Sequence, residues 1–555
     1  MSNYYLILIS LLAPFSLLLY AGVCLKKSSE KTSTTIENAS NIGIFGILIS
    51  IISAFFVYQS GAIQSTLIGA EGLGFSIRLD SLSVSILVMI SILAFVILRF
   101  SANYMEGDAR KSVFFSRLAF TIASVELLIL SGNLFQIFVL WIVSSVCLHY
   151  LLVFYRNRPQ AIAAARKKFI VARLGDISLL VAVILIYSEL GTGELDQIFA
   201  SLGAAASLST GLIWATILLV FSAVLKSAQF PTHGWLIEVV ETPTPVSALL
   251  HAGLLNAGPF LMVRLSYLMV ESTPASLMLI VIGGFTAMFA SVVYLTQPSI
   301  KVSLGYSSIA HMGFSLLLCG MGIYSAAILH IVAHSFYKAH SFLTSGSVVE
   351  MNKIRKINIP QGGKSALKIG MSIVFALTVY IAFSYFWGLN PTTDFGLLAV
   401  GSIIVMGISQ VMAATLSGKA TFKTIVTSVG IALLVVTSFF TLEHGANTLL
   451  DSQIPNTMIF GAAVQWTVIA LVSCYSLITV FQLFSYKFEN THFGFKMGVY
   501  LRNGFYANVI FDRMIGSLKS EKFKWANLTI QEEELEEKAP HSEITIPNKR
   551  VLLSN

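Results

Sequence analysis

The sequence predicts an all-α integral membrane protein with about 14–15 transmembrane helices, two inverted five-helix repeats and broken helices. Its 555 residues are 55% apolar and only 11% charged, whereas soluble domains usually carry about 25% charged residues. Apolar stretches of about 20 residues recur along the chain, and each can cross about 30 Å of hydrocarbon. Prolines interrupt the apolar pattern near residues 231–245, and irregular backbone at membrane depth survives only where protein or a water-filled cavity covers it.

Fifteen apolar segments are candidate membrane spans. They lie near 3–25, 41–63, 81–100, 112–130, 134–155, 169–189, 208–228, 246–269, 276–296, 302–321, 323–346, 366–388, 396–416, 421–442 and 459–485. The ranges 112–269 and 276–442 are interpreted as the two inverted five-helix repeats, because many transporters are built from such repeats with broken helices at their interface. No basic residue precedes Lys26, so no cleavable signal is expected.

The distribution of basic residues predicts the orientation. With the N-terminus outside, fifteen spans place three basic segments in cytoplasmic loops, in agreement with the positive-inside rule. The loops near 131–133, 190–196, 270–274, 389–395 and 443–457 then fall outside and carry no Lys or Arg. The basic segments contain Arg156, Arg158, Arg166, Lys167 and Lys168; Lys353, Arg355, Lys356, Lys364 and Lys368; and Lys419 and Lys423.

The composition divides the chain into a polytopic membrane domain at 1–486 and a polar C-terminal tail at 487–555. The tail contains the stretch LRNGFYANVIFDR (501–513) and an acidic run at 531–538. It is interpreted as a solvated cytoplasmic tail, with partner docking as the alternative. The cell inner (plasma) membrane is the expected location.

Cysteine spacing and charge exclude several classes of protein. The four cysteines form no CxxC and no Cys/His metal spacing, so neither a metal nor another cofactor is expected in this chain. The net charge of +8 sits in short loops between apolar segments and therefore indicates membrane lipid rather than nucleic acid as the surroundings. The chain is expected to be a transporter subunit and not an enzyme.

The stretch KSAQFPTHGWLIEVVETPTPVSALLHAG (226–253) carries the first group of candidate residues. Lys226 either snorkels to the interface or, beside the proline break, loses and regains a proton. Glu241 and Glu238 lie in the connecting loop, where a carboxylate can attract protons, although simple solvation explains Glu238 equally well. His251 is the residue of the next span able to titrate near neutral pH, with helix packing as its alternative.

A second group lies in ILHIVAHSFYKAHSFL (328–343). His330, His334 and Lys338 are spaced by four residues and share one helix face, so a proton relay is favoured over packing. His340 lies off that stripe. His311, one span earlier, either joins the row or makes a hydrogen bond between helices.

Three further ionisable residues lie inside predicted spans, where a charge is costly. Arg173 and Asp176 are three residues apart and can pair within one helix. This pair is interpreted either as structural or as functional support for the pathway. Glu126 has no partner nearby in sequence and is a candidate for the ion pathway.

These motifs together resemble the antiporter-like membrane subunits of respiratory complex I and of Mrp-type cation/proton antiporters. The stretch at 226–253 resembles the hallmark of that superfamily, as do VARLGD (171–176) and the helix at 328–343. The resemblance implies that Lys226 is the central channel lysine, that His251 follows it, and that the stripe of His330, His334 and Lys338 belongs to a hydrophilic axis along the membrane midplane.

The sequence departs from this superfamily at two places. A glutamate usually follows the tryptophan at Trp141, but this chain has Ile142. The span at 396–416 contains no lysine, and the spans at 366–388 and 421–442 carry a lysine only within their first three residues, at Lys368 and Lys423. Gln410 is the nearest polar substitute for a lysine in the middle of these spans. Glu126 and Ile142 would lie within about 6 Å of each other in depth across a turn at 131–133, so we expect Glu126 to replace the missing carboxylate near Lys226.

The stretches at 231–258 and 501–513 resemble DabB, the family of membrane subunits in two-component inorganic carbon accumulation complexes. This resemblance implies an ion pathway, most simply for protons, that energises a DabA-like, zinc-binding, carbonic-anhydrase-like partner. The alternatives are a proton-pumping subunit of a complex I-type redox enzyme and a Mrp-type sodium/proton antiporter subunit.

Overall fold

The structure is a computed structural model. It describes residues 2–26, 32–155, 158–204, 207–239, 242–346, 366–391, 393–417, 421–451, 453–455, 461–488 and 490–515.

Helices account for nearly all of the regular structure in these ranges. The first part contains α1 (Ser2–Lys26), α2 (Thr32–Ser60), α3 (Ser81–Tyr104), α4 (Lys111–Ile129), α5 (Leu134–Leu152), α6 (Pro159–Leu190), α7 (Leu195–Ala204), α8 (Thr210–Lys226), α9 (Gly234–Glu238), α10 (Thr244–Ala252), α11 (Ala257–Arg264) and α12 (Ser266–Val270). The second part contains α13 (Thr273–Tyr294), α14 (Ile300–Gly320), α15 (Tyr324–Leu343), α16 (Ala366–Phe386), α17 (Phe395–Ser417), α18 (Phe422–Leu450), α19 (Ala462–Phe484) and α20 (His492–Arg502).

The predicted all-α membrane class is confirmed. In the described part of the chain, thirteen helices are long and apolar enough to cross a membrane, if α10 and α11 are taken as one broken span. Two shorter or more polar helices complete the fifteen predicted segments: α8, with 17 residues, and α15, with 20 residues. Each of the fifteen predicted segments therefore coincides with a helix or with the broken pair α10–α11, and thirteen of them have the length and hydropathy of a membrane span.

Four short strands connect α2 to α3 in two antiparallel pairs. β1 (Ile63–Gln64) pairs with β4 (Arg78–Leu79), and β2 (Ile68–Ala70) pairs with β3 (Leu73–Phe75). The turn between α4 and α5 joins this small structure, since Gly132 N donates to Ser76 O at 2.7 Å. The strands therefore form a cover over one end of the helices.

A buried ionic cluster fixes the beginning of α3 to the end of the broken span. Asp80 caps α3 by accepting from Ser83 N at 2.8 Å. The same carboxylate binds Arg78 Nε at 2.6 Å and Arg264, the last residue of α11. Arg78 also binds Asp196 on α7. Segments that lie far apart in sequence are thus held together by charge at this end of the protein.

Two predicted boundaries need correction. Arg166, Lys167 and Lys168 do not lie in a loop, because α6 begins at Pro159 and continues through them. The predicted outer loop at 443–457 is largely helical, since α18 continues to Leu450. In both places a few charged side chains on an otherwise continuous helix look like a loop in a hydropathy pattern.

The predicted repeat ranges differ in their helices. The range 112–269 contains α4, α5, α6, α8 and the broken pair α10–α11, and it also includes the short helices α7, α9 and α12. In the range 276–442, the part that the structure describes contains six helices, α13 to α18. The assignment of repeat boundaries stays a prediction.

The contacts divide the chain into two units, 1–506 and 507–555. The described part of the second unit is α21 (Ala507–Ile515). The predicted tail at 487–555 therefore begins within the first unit, with α20, and most of it lies outside the described residues.

Candidate ion-translocation site

Lys226 is the last residue of α8, and it reaches α5. Its ammonium donates to the backbone carbonyl of Trp141 at 3.1 Å and lies 4.4 Å from the centre of the Trp141 ring. An aromatic face attracts a cation by electrostatics, more strongly where water is excluded. The half-buried side chain is therefore directed towards α5.

An ion pair on α6 provides the charged neighbours of Lys226. Arg173 Nη2 and Asp176 Oδ2 are 2.7 Å apart, and both residues interact electrostatically with Lys226. Asp176 is 5% exposed. The carboxylate beside the lysine thus comes from α6 and not from α5, where Ile142 stands.

Glu126 contacts α3 in the structure, and its role as a replacement for the missing carboxylate stays a prediction. It is 1% exposed on α4, and Ser91 on α3 donates to its Oε1 at 3.4 Å. Its electrostatic partners among the described residues do not include Lys226. Glu126 contacts Ser91 of α3, whereas Lys226 contacts Trp141 of α5.

Of the two glutamates predicted in the loop before α10, the structure describes Glu238. Glu238, at the end of α9, is not merely solvated, because its Oε1 lies 2.5 Å from Lys167 Nζ on α6. Glu241 lies outside the described residues. Gln410, the predicted polar substitute on α17, is exposed and donates to Gln482 Oε1 at 2.8 Å.

The break between α10 and α11 connects the first cluster to the second half of the protein. Ser227, directly after Lys226, donates to Leu255 O in the break at 3.2 Å. Asn256 Nδ2 donates to Ala252 O and to Ser335 Oγ on α15, both at 2.8 Å. A broken helix leaves backbone carbonyls without helical partners, so side chains of neighbouring helices can bind there. Polar contacts therefore join the break to α8 on one side and to α15 on the other.

His251 lies on the α10 side of this connection. It is 3% exposed, and its ring stacks on Phe342 of α15 with 4.3 Å between centroids. It interacts electrostatically with Lys338 and with His334. The packing interpretation and the relay interpretation therefore both describe real contacts of this residue.

The histidines of α15 form a row with His311 of α14. His311 Nδ1 and His330 Nε2 are 3.1 Å apart, and the rings of His311 and His334 have centroids 4.8 Å apart. Lys338 is fully buried and donates to Leu304 O at 3.1 Å. His340 is exposed and off the row, as its spacing indicated.

The row of histidines faces a cavity of about 670 Å³. Its lining includes His311, His330 and His334, with Tyr294, Tyr337 and Tyr475 around them. Imidazole can both donate and accept a proton through its two ring nitrogens. The arrangement can therefore pass a proton along the row beside a space large enough for several water molecules.

A second cavity, of about 370 Å³, lies at the beginning of α15 and α17 and the end of α18. Its lining includes Asp394, Glu443, His444 and Asp451. Glu443 is 9% exposed and accepts from Ser325 Oγ at 2.8 Å. Glu443 is thus a buried carboxylate beside α17, the helix whose predicted span at 396–416 contains no lysine.

Sequence reasoning missed three groups of residues at these sites. Lys168 was assigned to a loop, yet it is 5% exposed and bound to Ser145 of α5. Glu443 was assigned to an outer loop. Asp80 and Arg264 form an ion pair although 184 residues separate them in sequence, so no local pattern could predict the pair. Their presence as ionisable residues next to apolar segments was nevertheless a signal that each could have a role.

Comparison with known proteins identifies the family. Residues 131–427 match the family described as NADH:quinone oxidoreductase/Mrp antiporter, TM. Residues 68–115 match the family described as NADH-Ubiquinone oxidoreductase (complex I), chain 5 N-terminus. The first match covers more than half of the chain. The chain belongs to the NADH:quinone oxidoreductase/Mrp antiporter membrane family.

Relatives within this family include proteins matched over nearly their full length. The chain is 31% identical to the probable inorganic carbon transporter subunit DabB of Hydrogenovibrio crunogenus, over 90% of this chain and 93% of that protein. It is 37% identical to the probable inorganic carbon transporter subunit DabB2 of Halothiobacillus neapolitanus, over 78% and 80%. It is also 37% identical to NADH-quinone oxidoreductase subunit L of Escherichia coli, but over only 51% and 46%.

Solved structures share the fold. The Mrp complex from Dietzia sp. DQ12-45-1b contains a chain that superimposes with a TM-score of 0.57 at 20% identity, over 99% of this chain and 64% of that chain. A chain of the membrane-bound sulfane sulfur reductase, an archaeal respiratory membrane complex, gives a TM-score of 0.53 at 18% identity, over 92% and 99%. The chain is therefore a multi-pass, antiporter-like membrane protein whose relatives are named as transporter and respiratory subunits.

Proposed function

We propose that this chain is the ion-translocating membrane subunit of a two-component inorganic carbon (CO2/bicarbonate) uptake complex. The ion is most simply the proton. The observation that carries the proposal is the extent of similarity: relatives named as DabB inorganic carbon transporter subunits match over 78–90% of the chain. NADH-quinone oxidoreductase subunit L of Escherichia coli matches over 51% of the chain, as does a third DabB relative, DabB1 of Halothiobacillus neapolitanus, over 49%.

The proposed ion pathway uses buried groups that can hold a proton. Lys226 would be the central carrier of the first half, steadied by Asp176 and Arg173. Polar groups at the break between α10 and α11 then connect this cluster with α15, where Asn256 binds Ser335 at 2.8 Å. A charge placed in the membrane interior is costly, so residues of this kind are retained where they move charge.

The second half of the proposed pathway runs along the histidine row. His251 approaches α15 beside Lys338, and His334, His330 and His311 continue the row with ring centroids 4.8 to 6.0 Å apart. Each transfer would move one proton between neighbouring groups. The buried Glu126 on α4 is proposed as a side branch, and Glu241 as an attractor of protons at the loop before α10.

The proposal includes a partner and an orientation. A DabA-like, zinc-binding, carbonic-anhydrase-like subunit would hydrate CO2, and ion flow through this chain would drive that partner. The protein would lie in the cell inner membrane with its N-terminus outside and its C-terminal tail in the cytoplasm. The alternative functions are those of a complex I-type proton-pumping subunit and a Mrp-type sodium/proton antiporter subunit.

Lys226→Ala tests the proposed function. Co-expression with the partner should allow a host that lacks carbonic anhydrase to grow in ambient CO2, and the variant should abolish that growth while both subunits remain in the membrane. Zinc analysis of the co-purified partner identifies the complex. Normal growth with Lys226→Ala would remove the lysine from the pathway, and failure of the wild-type pair to accumulate inorganic carbon would contradict the proposed function itself.

A further inference from the structure

A second buried lysine stands beside the Lys226 cluster. Lys168 on α6 is 5% exposed. Its ammonium donates to Ser145 O at 2.6 Å and to Ser145 Oγ at 2.8 Å. Lys167, the preceding residue, differs in that a carboxylate of Glu238 lies 2.5 Å from its nitrogen, whereas the hydrogen bonds of Lys168 go to neutral oxygens. A charged group held only by neutral oxygens is free to exist in either protonation state.

The helix α5 orders this lysine relative to Lys226. Lys226 binds the carbonyl of Trp141, Lys168 binds Ser145, and His149 follows four residues later on the same helix. Residues spaced by four lie on one face of a helix and are separated by about 6 Å along its axis. The three titratable groups therefore meet α5 on successive turns, in the order Lys226, Lys168, His149 from the middle of α5 to its C-terminal end.

His149 is the outermost of the three groups. It lies three residues before the end of α5 at Leu152, and its ring centroid is 5.5 Å from that of Phe169 on α6. Its Nδ1 is buried, and the ring interacts with the backbone of Ala165 on α6. Of the three titratable groups, His149 is therefore the one nearest the C-terminal end of α5.

We propose that His149 and Lys168 form the entry branch through which protons reach Lys226. This inference rests on the proposed function, because it assigns the supply side of the same pathway. One proton moves in each step: from the His149 imidazolium to the Lys168 amine, and from the Lys168 ammonium to the Lys226 amine. No bond other than N–H is formed or broken. The chain returns to its starting state once Lys226 has passed its proton on and His149 has taken up a new proton from the solution.

The surrounding charges fit a transfer site better than a fixed ion pair. Lys168 interacts electrostatically with Lys226, Arg173, Asp176 and Cys147, and also with His149. Asp176 is the carboxylate of this set, and it already contacts Arg173 at 2.7 Å. Repulsion between neighbouring cations means that a proton arriving at one lysine favours the departure of a proton from the other.

Lys168→Arg separates proton transfer from simple anchoring. A guanidinium can still donate to Ser145, but it stays protonated at any physiological pH. The complex of this chain with its partner would be placed in everted membrane vesicles, and proton flux would be followed with a pH-sensitive dye. We expect Lys168→Met and Lys168→Arg both to lower the flux by at least about tenfold, with normal amounts of Lys168→Arg in the membrane. Arg166→Gln, an exposed position on the same helix, is the matched control and should keep the wild-type flux.

His149→Gln provides an independent test. Its flux should fall several-fold at neutral pH, and the deficit should shrink when the solution at the α5 C-terminal end is made acidic, because abundant protons then reach Lys168 without a collecting group. Wild-type flux in Lys168→Arg would overturn the proposal in favour of anchoring. If neither Lys168 variant accumulates, an unchanged flux of His149→Gln at every pH overturns it. A wild-type complex that moves no protons would instead overturn the proposed function, and this inference with it.

Discussion

Neutralising Asp80 should destabilise the protein more than any surface change. Asp80→Asn keeps a good helix-capping side chain at the beginning of α3, but it removes the negative charge between Arg78 and Arg264. The side chains of these arginines are 7% and 2% exposed, while Asp196, the remaining carboxylate, is 52% exposed and compensates weakly. Removing one partner of a buried ion pair lowers the free energy of unfolding by about 3–5 kcal/mol. Because asparagine still caps α3, we expect Asp80→Asn to lower it by about 3 kcal/mol.

That loss corresponds to roughly a hundredfold shift in the unfolding equilibrium, since about 1.4 kcal/mol is tenfold. It can be measured by titrating SDS into detergent micelles that contain the purified protein and following tryptophan fluorescence. Glu106→Gln, at an exposed position, is the control and should stay within about 0.5 kcal/mol of the wild type.

A double variant makes the test more specific. Asp80→Asn combined with Arg264→Met should be more stable than Asp80→Asn alone, because removing both charges of a buried pair is often close to neutral. If Asp80→Asn unfolds within 1 kcal/mol of the wild type, or if the effects of the two changes simply add, the cluster does not hold α3 to α11 in the way described.

The remaining predictions concern transport. His334→Ala and Lys338→Ala should each impair inorganic carbon uptake severely, and the double variant should cost little more than the worse single, because links of one series path are not additive; additive effects would indicate independent structural roles. Ile142→Glu should not restore uptake to Glu126→Gln, since Glu126 contacts α3 and not Lys226; recovery would show that the two carboxylates are interchangeable. Glu443→Gln keeps an acceptor for Ser325 but loses the charge at the 370 Å³ cavity, and proton flux in vesicles should fall several-fold; wild-type flux would exclude this cavity from the pathway.

The sequence was sufficient to predict the membrane class and the order of the spans. Hydropathy works here because each span must satisfy its own backbone hydrogen bonds and match the same hydrocarbon thickness. Local spacing was also sufficient for Arg173 with Asp176, and for the shared face of His330 and His334, since a helix converts spacing directly into geometry.

Contacts between distant helices could not be predicted in the same way. The direction in which Glu126 points depends on how α4 packs against α3, and depth along the helix alone carries no information about rotation. Lys168 follows two other basic residues in AARKKF. This run of charge suggested a loop, although packing buries two of the three residues, Lys167 and Lys168, on α6. The bond from Asn256 to Ser335 joins residues 79 positions apart and depends on the break in the helix.

Lys226 and Lys168 donate to carbonyls of α5 that are one helical turn apart, Trp141 O and Ser145 O. This proximity of two amines affects how transport kinetics depend on pH. Groups that interact strongly do not titrate one at a time; they release their protons in macroscopic steps that belong to the set as a whole. A plot of transport rate against pH for the wild type would therefore report the two lysines together, and neither step could be assigned to one of them. Removing one amine should merge the two steps into a single transition, so the shape of the curve, more than its midpoint, would reveal how many carriers share the first half of the pathway.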